Sequence, residues 1–211
     1  MTNDFLEAIA STKPIPGGGG ASAFAACIGM ALLEKIIRIE LGRKELDAPR
    51  SALWSDLLRK TLQSKETLSR LKVADGESYI RWAEAKASGA NATALSDLLG
   101  EAVEIPLAIM EEAIRTTGIV SKAVERCKPH LLPDALAAAE LLAAAARGAA
   151  HIASANLERM RDPSHRSILG EKLDGLRNDN DAAFTKVCTA VSDRPRSGDG
   201  ASARHSRSSS V

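Results

Sequence analysis

The sequence predicts an all-α protein, a single-domain bundle of about five to six helices, and three observations carry that prediction. Alanine makes up about one residue in six of the 211, which favours helices packed closely through small side chains. Apolar residues recur at steps of three and four, and no segment shows the apolar–polar alternation of a strand. Glycine and proline fall in clusters that cut the chain into segments of helical length. At 45% hydrophobic and 26% charged residues the chain can bury one real core, and its length leaves no room for two.

Asn3 and Asp4 before Phe5-Leu6-Glu7 form a capped start, so a short helix is expected to end near Ser11-Thr12. Pro14-Ile15-Pro16 cannot continue it, and Gly17-Gly18-Gly19-Gly20 follows directly. A second helix then runs to Leu41-Gly42, with Phe24, Ile28, Leu32, Ile36 and Ile39 as its apolar stripe. Pro49 and Ser51 open a long segment to about Ala87, closed by Ser88-Gly89. The next spans about Leu95 to Arg126, with Pro106 inside it as an expected kink. After the break at 129–133, an alanine-rich helix is expected from Asp134 to Met160, ended by Asp162-Pro163-Ser164. A last helix covers Ser167 to about Ser192. The helical domain is therefore drawn as 1–192, with 193–211 as a Ser/Arg/Gly-rich tail too poor in apolar residues to repay its ordering entropy.

Formal net charge is +1 and aromatics are 3%, so neither a basic footprint nor a base-stacking platform is present, and no nucleic-acid partner is expected. The most apolar stretch, Ala21 to Leu33, is too short to cross a bilayer, and no membrane association is expected. The first residues lack the basic and apolar regions of a secretion signal, which makes a cytoplasmic location the expectation. Cys27, Cys127 and Cys188 are odd in number and far apart, and His130, His151, His165 and His205 have no ligand spacing, so no metal site is expected.

Two features suggest chemistry. A glycine run opening a helix lets the backbone approach a ligand and aims N–H groups at it, which suits an anion or a carbonyl; close helix crossing is the other use of such a run. Neither a Walker loop nor a dinucleotide fingerprint fits, because no Lys-Ser/Thr pair follows and no strand precedes. Asp75 is the second feature. Steps of three and four connect it to Leu57, Thr61, Ser64, Leu68, Leu71, Ser78 and Trp82, the stripe that faces the core. A carboxylate there is desolvated and suited to proton transfer near neutral pH, unless it pairs with Lys72 or Arg81. On the alanine-rich helix Arg147, His151, Ser154 and Glu158 share one face, read as the solvent side, and Asn156 lies opposite as a candidate ligand contact. Asp134 opens that helix, just after His130.

Phe5-Leu6-Glu7-Ala8-Ile9-Ala10-Ser11 followed by Pro14-Ile15-Pro16-Gly17-Gly18-Gly19-Gly20-Ala21-Ser22-Ala23 resembles the opening of the formiminotetrahydrofolate cyclodeaminase / methenyltetrahydrofolate cyclohydrolase family. The resemblance extends through Gly29-Met30-Ala31-Leu32, Gly42-Arg43-Lys44, Ala74-Asp75-Gly76-Glu77-Ser78-Tyr79, Ile105-Pro106-Leu107, Asp134 and Asn156-Leu157, about residues 3 to 190 in all. Three departures stand out: Cys127 to Pro133 replaces a glycine-asparagine loop, no arginine falls between Arg81 and Arg115, and Ile152 stands where the family has an asparagine.

The resemblance implies an all-helical homodimer that acts on a reduced folate carrying a one-carbon unit, with no cofactor beyond that tetrahydrofolate substrate. It implies Asp75 as general acid and base, for hydrolysis of 5,10-methenyl-tetrahydrofolate or for cyclisation of 5-formimino-tetrahydrofolate with loss of ammonia. Gly17, Gly18, Gly19 and Gly20 would hold the ligand through backbone N–H groups, with a hydroxyl from Ser22. Arg43 and Lys44 would attract the glutamate carboxylates, and Asp134 and Asn156 would contact the pterin or orient other groups. The departures motivate two other readings: the same fold turned to another amidine or imine C–N substrate, and a non-catalytic helical dimerisation protein.

Overall fold

The computed structural model describes residues 2–194, and these form six α-helices with no strand among them: α1 (Thr2–Ala10), α2 (Gly18–Leu41), α3 (Ala48–Ala87), α4 (Ala92–Val124), α5 (Leu132–Leu157) and α6 (Pro163–Ser192). A single 3-10 turn, Pro129–Leu131, leads into α5. Side-chain caps set several of the starts. Asp47 accepts from the Arg50 N–H at 2.8 Å, Asn91 from Ala94 at 2.9 Å, and Asp162 from Ser164 and His165 at 2.9 and 3.2 Å. Asp162-Pro163-Ser164, read from the sequence as the end of one helix, is thus the capped beginning of the next, with Pro163 at the position where a missing N–H costs nothing.

Successive long helices run antiparallel. Lys65 of α3 reaches back to Glu34 of α2 at 3.0 Å, and Lys35 of α2 meets Asp134 at the start of α5 at 2.8 Å. Helices α2, α3, α4 and α5 close a four-helix layer, and α6 lies against α4 and α5, tied to α4 by Lys172–Glu111 at 2.8 Å. Arg194 anchors the end of α6 by donating to the carbonyls of Glu125 and Cys127. The rest of the predicted tail lies outside the described residues.

The face that α2 buries differs from the predicted stripe. Ala23, Ala26, Met30, Leu33, Ile36 and Ile37 are buried, whereas Ile28 and Ile39 are exposed and Phe24 and Leu32 are half-buried. Size misleads here, because α2 meets α5 backbone to backbone. A Cβ on Gly29 would come within 2.9 Å of the Ala138 carbonyl oxygen, and one on Gly148 within 2.5 Å of Ser22 Oγ. Only small residues fit that seam, and α5 answers with Ala135, Ala138, Ala139, Ala146, Ala149 and Ala153, all fully buried. By length and composition α2 and the 129–157 segment could each span a membrane, but half of each apolar window is buried inside the bundle.

At the far end of α2, Glu40 is fully buried. Its carboxylate accepts from Arg43 Nη1 and from the Lys128 backbone N–H, each at 2.8 Å, and so ties α2 to the turn after α4.

Candidate functional site

The site lies where the first turn of α2 meets the middle of α3. Proline and glycine end α1 and hold residues 11–17 off the helix, with a cis bond between Ile15 and Pro16. Gly17 is the N-cap in extended conformation and offers no side-chain oxygen to the turn it opens. The first N–H groups of α2 therefore look for acceptors elsewhere. Gly20 donates to Asp75 Oδ2 at 2.8 Å.

Three glycines of the run are needed for different reasons. A Cβ on Gly19 would lie 2.0 Å from Asp75 Oδ1, so the carboxylate occupies the side-chain space of that position. On Gly18 it would press on Ile152 Cδ1 at 2.7 Å, and on Gly20 on the Lys72 carbonyl oxygen at 3.3 Å. Gly17 meets nothing closer than 3.8 Å. The run thus serves both helix crossing and close approach to an acid.

Asp75 stands on the buried stripe of α3, with Leu57, Thr61, Ser64, Leu68 and Ser78 buried along it. Neither cation considered from the sequence pairs with it. Lys72 lies over the Phe5 ring at 4.7 Å, and Arg81 is bound to Glu101. Burial pushes the Asp75 carboxyl above its ordinary value, and the Gly20 N–H opposes that rise without cancelling it. A half-buried acid without a cation, held at one oxygen by a backbone donor, can take and return a proton.

A cavity of about 120 Å³ opens beside it, lined by Gly17, Gly18, Gly19, Asp75, Ile152 and Asn156 among others. Asn156 donates through Nδ2 to the Ala102 carbonyl at 2.7 Å, which fixes its amide against α4. The cavity continues past Tyr79 and Trp82 into a groove of about 780 Å³. Beyond the rings the groove is basic, with Lys86, Arg159 and Arg161 along it and no acidic residue in its lining. Lys86 Nζ and the Arg159 guanidinium lie over the Trp82 ring at 4.9 and 5.9 Å.

The structure therefore brings Gly17, Gly18, Gly19, Gly20, Asp75 and Asn156 together and leaves the other candidates apart. Ser22 donates to the Gly18 carbonyl at 2.8 Å and packs in the α2–α5 seam. Arg43 and Lys44 lie beyond the opposite end of α2, ~35 Å from Gly20 at the helical rise, with Arg43 committed to Glu40. Asp134 is bound to Lys35 at the far end of α5, ~33 Å from Asn156. His130, in the same region, is exposed. The basic groove was missed because Lys86, Arg159 and Arg161 belong to segments that only the fold joins. Trp82, one helical step beyond Ser78 on the Asp75 stripe, was its one sequence signal.

A family model described as formiminotransferase-cyclodeaminase matches residues 1–175. The chain is similar to the methenyltetrahydrofolate cyclohydrolase of Methylorubrum extorquens, 25% identical over 180 residues that cover 82% of this chain and 86% of that one. Among solved structures, the formiminotetrahydrofolate cyclodeaminase of Thermotoga maritima matches with a TM-score of 0.84 at 20% identity, covering 91% of this chain and 96% of that one. At that identity the likeness is one of fold.

Proposed function

The chain belongs to the formiminotransferase-cyclodeaminase family, and from that premise we propose that it is a folate one-carbon enzyme acting on a C–N bond at the carbon held between two folate nitrogens. The observation that carries the reading is Asp75, desolvated, free of any cation and fixed by Gly20, at the mouth of a groove that is first aromatic and then basic. That sequence of surfaces matches the parts of a folate. The pterin and its one-carbon unit fit the glycine-lined cavity, the aryl ring fits against Tyr79 and Trp82, and the glutamate carboxylates reach Lys86, Arg159 and Arg161.

In the hydrolytic direction, Asp75 takes a proton from water as its oxygen bonds to the methenyl carbon. It then returns the proton to the departing nitrogen while the new hydroxyl gives its remaining proton to solvent and becomes the formyl carbonyl, so the ring opens to 10-formyl-tetrahydrofolate with one proton released. In the cyclising direction, the second folate nitrogen attacks the formimino carbon, and its own proton together with the one held by protonated Asp75 passes to the imino nitrogen, which leaves as ammonia. The raised carboxyl value serves both, since each needs the acid and the base form within reach of neutral pH. A homodimer belongs to the same proposal, with exposed Ile28 and Ile39 of α2 as a surface for the second copy, and so does a cytoplasmic location.

A second reading, the same chemistry on a different amidine or imine, is favoured by Ile152, which puts an apolar wall at the cavity. The deciding experiment follows the methenyl chromophore of 5,10-methenyl-tetrahydrofolate at neutral pH, then the formimino substrate, with Asp75→Asn alongside. Turnover above the spontaneous rate and its loss in the variant support the folate reading. Failure with both folates transfers it to the second.

A further inference from the structure

A second cavity, of about 240 Å³, opens on the other side of α5 between α4, α5 and α6. Asn156 points to the first cavity, and Arg147 stands nine residues back at the opposite helical angle, so the two sites share a helix without sharing a face. Met110, Ala150 and Asn180 form its floor, and Arg147, His151, Arg177 and Asp181 its rim.

Asn180 is the informative residue. It is 3% exposed, and its carboxamide has no hydrogen-bond partner among the described residues. Among the described residues only Ser121 Oγ is a buried side-chain polar atom without a partner, so the unpaired polar atoms of the Asn180 amide are reached from the cavity and are open to whatever fills it. The rim is rich in donors. Arg177 is oriented by Asp174 at 2.9 Å and by Ser154 Oγ at 2.7 Å, which leaves N–H groups of its fork uncommitted. Arg147 forms no ion pair among the described residues, and His151 adds a further donor. Asp181 is the one acid in the lining and disfavours a ligand of high negative charge. Arg177, Asn180 and Asp181 also lie beyond residue 175, outside the stretch that matches the family.

We propose that this cavity is a second binding site, for a small oxyanion, a carboxylate or a phosphate group, held by Arg147 and Arg177 at the rim and by the Asn180 amide at its floor. The site is independent of the folate reading. Inorganic phosphate and acetate are titrated separately into the full chain at constant ionic strength, with chloride as control. The side-chain amide resonances of Asn180 are followed together with the melting temperature. Those resonances report this cavity, since an anion that enters the basic groove beside Trp82 also raises the melting temperature. One of the two anions shifts the Asn180 resonances saturably, and Arg147→Gln weakens that response by about tenfold or more. Asn180→Leu abolishes the anion-dependent rise in melting temperature that Arg147→Gln removes, and without anion it melts no lower than the parent chain. The inference is overturned if neither anion moves the resonances or if Arg147→Gln responds like the parent. It is also overturned if Asn180→Leu melts lower without anion, which would mean that the amide is satisfied within the fold. Dissociation of a dimer in Arg147→Gln without any anion response would assign the cavity to contact between copies.

Discussion

The carboxylate of Asp75 fills the place where a side chain on Gly19 would be, 2.0 Å from its ideal Cβ, while the next residue, Gly20, donates its N–H to the same group at 2.8 Å. One turn of α2 thus both makes room for the acid and holds it. Gly19→Ala is expected to displace the carboxylate and cut turnover by ~100-fold, since misplacement of a catalytic group by about an ångström has that order of effect. Gly20→Ala comes nearest to the Lys72 carbonyl oxygen, at 3.3 Å, and stays at van der Waals distance from Asp75 Oδ2, at 3.8 Å, so it loses much less. Steady-state kinetics on the two variants checks the order, and equal losses would detach Gly19 from the positioning of Asp75.

Asp75→Asn is expected to lower turnover by roughly 100- to 10,000-fold, the usual range for loss of a positioned acid–base group. Its stability should also change with pH in a defined sense. The folded value lies above the ordinary 3.8, so the contribution of Asp75 to stability is fully present below about pH 4 and is lost as pH rises through the folded value, where a desolvated carboxylate must ionise. Asparagine does not ionise. The melting temperature of the variant relative to the parent should therefore climb from acid to neutral pH, and a falling difference would show that the ionised carboxylate is stabilised by the fold.

The two ends of α2 predict opposite phenotypes for loss of a cation. Arg43→Ala leaves Glu40 buried with only the Lys128 N–H as partner and should cost roughly 3 kcal/mol, read by denaturant unfolding, without changing KM. Lys86→Gln or Arg161→Gln should leave stability unchanged and raise KM by about tenfold, more at low than at high salt. A raised KM in the stable fraction of Arg43→Ala would return that residue to the substrate.

Gly29→Ala tests the seam alone. The added methyl comes within 2.9 Å of the Ala138 carbonyl, an atom that cannot swing aside, and should cost about 1–3 kcal/mol. Turnover per folded molecule should be unchanged, because Gly29 lies between two helices and not at the cavity. Thermal unfolding beside active-site titration measures both quantities.

Helix order and most boundaries were legible because apolar spacing, caps and glycine–proline breaks are local signals. Asp75 was legible for a related reason, as a charge on a stripe whose other members are apolar, hydroxylic or aromatic. The face of α2 was not, since at a close crossing the buried residues are the smallest and Ile28 and Ile39 are left outside. Arg43, Lys44 and Asp134 were drawn to the substrate by the family resemblance alone, and the lengths of α2 and α5 carry them to the other end of the bundle. Lys86, Arg159 and Arg161 converge only after α3 and the α5–α6 connection have been folded together.

The alanine seam between α2 and α5 has a thermodynamic consequence. Glycine and alanine have no rotamers to lose, whereas each buried leucine or isoleucine gives up about 0.5–1 kcal/mol of side-chain entropy on ordering. With aromatics at 3%, the chain gains little from aromatic side chains, and along this seam it gives up little side-chain entropy. Unfolding it exposes less apolar surface per residue than unfolding a leucine-packed interface, so the heat capacity rises less and stability varies more gently with temperature.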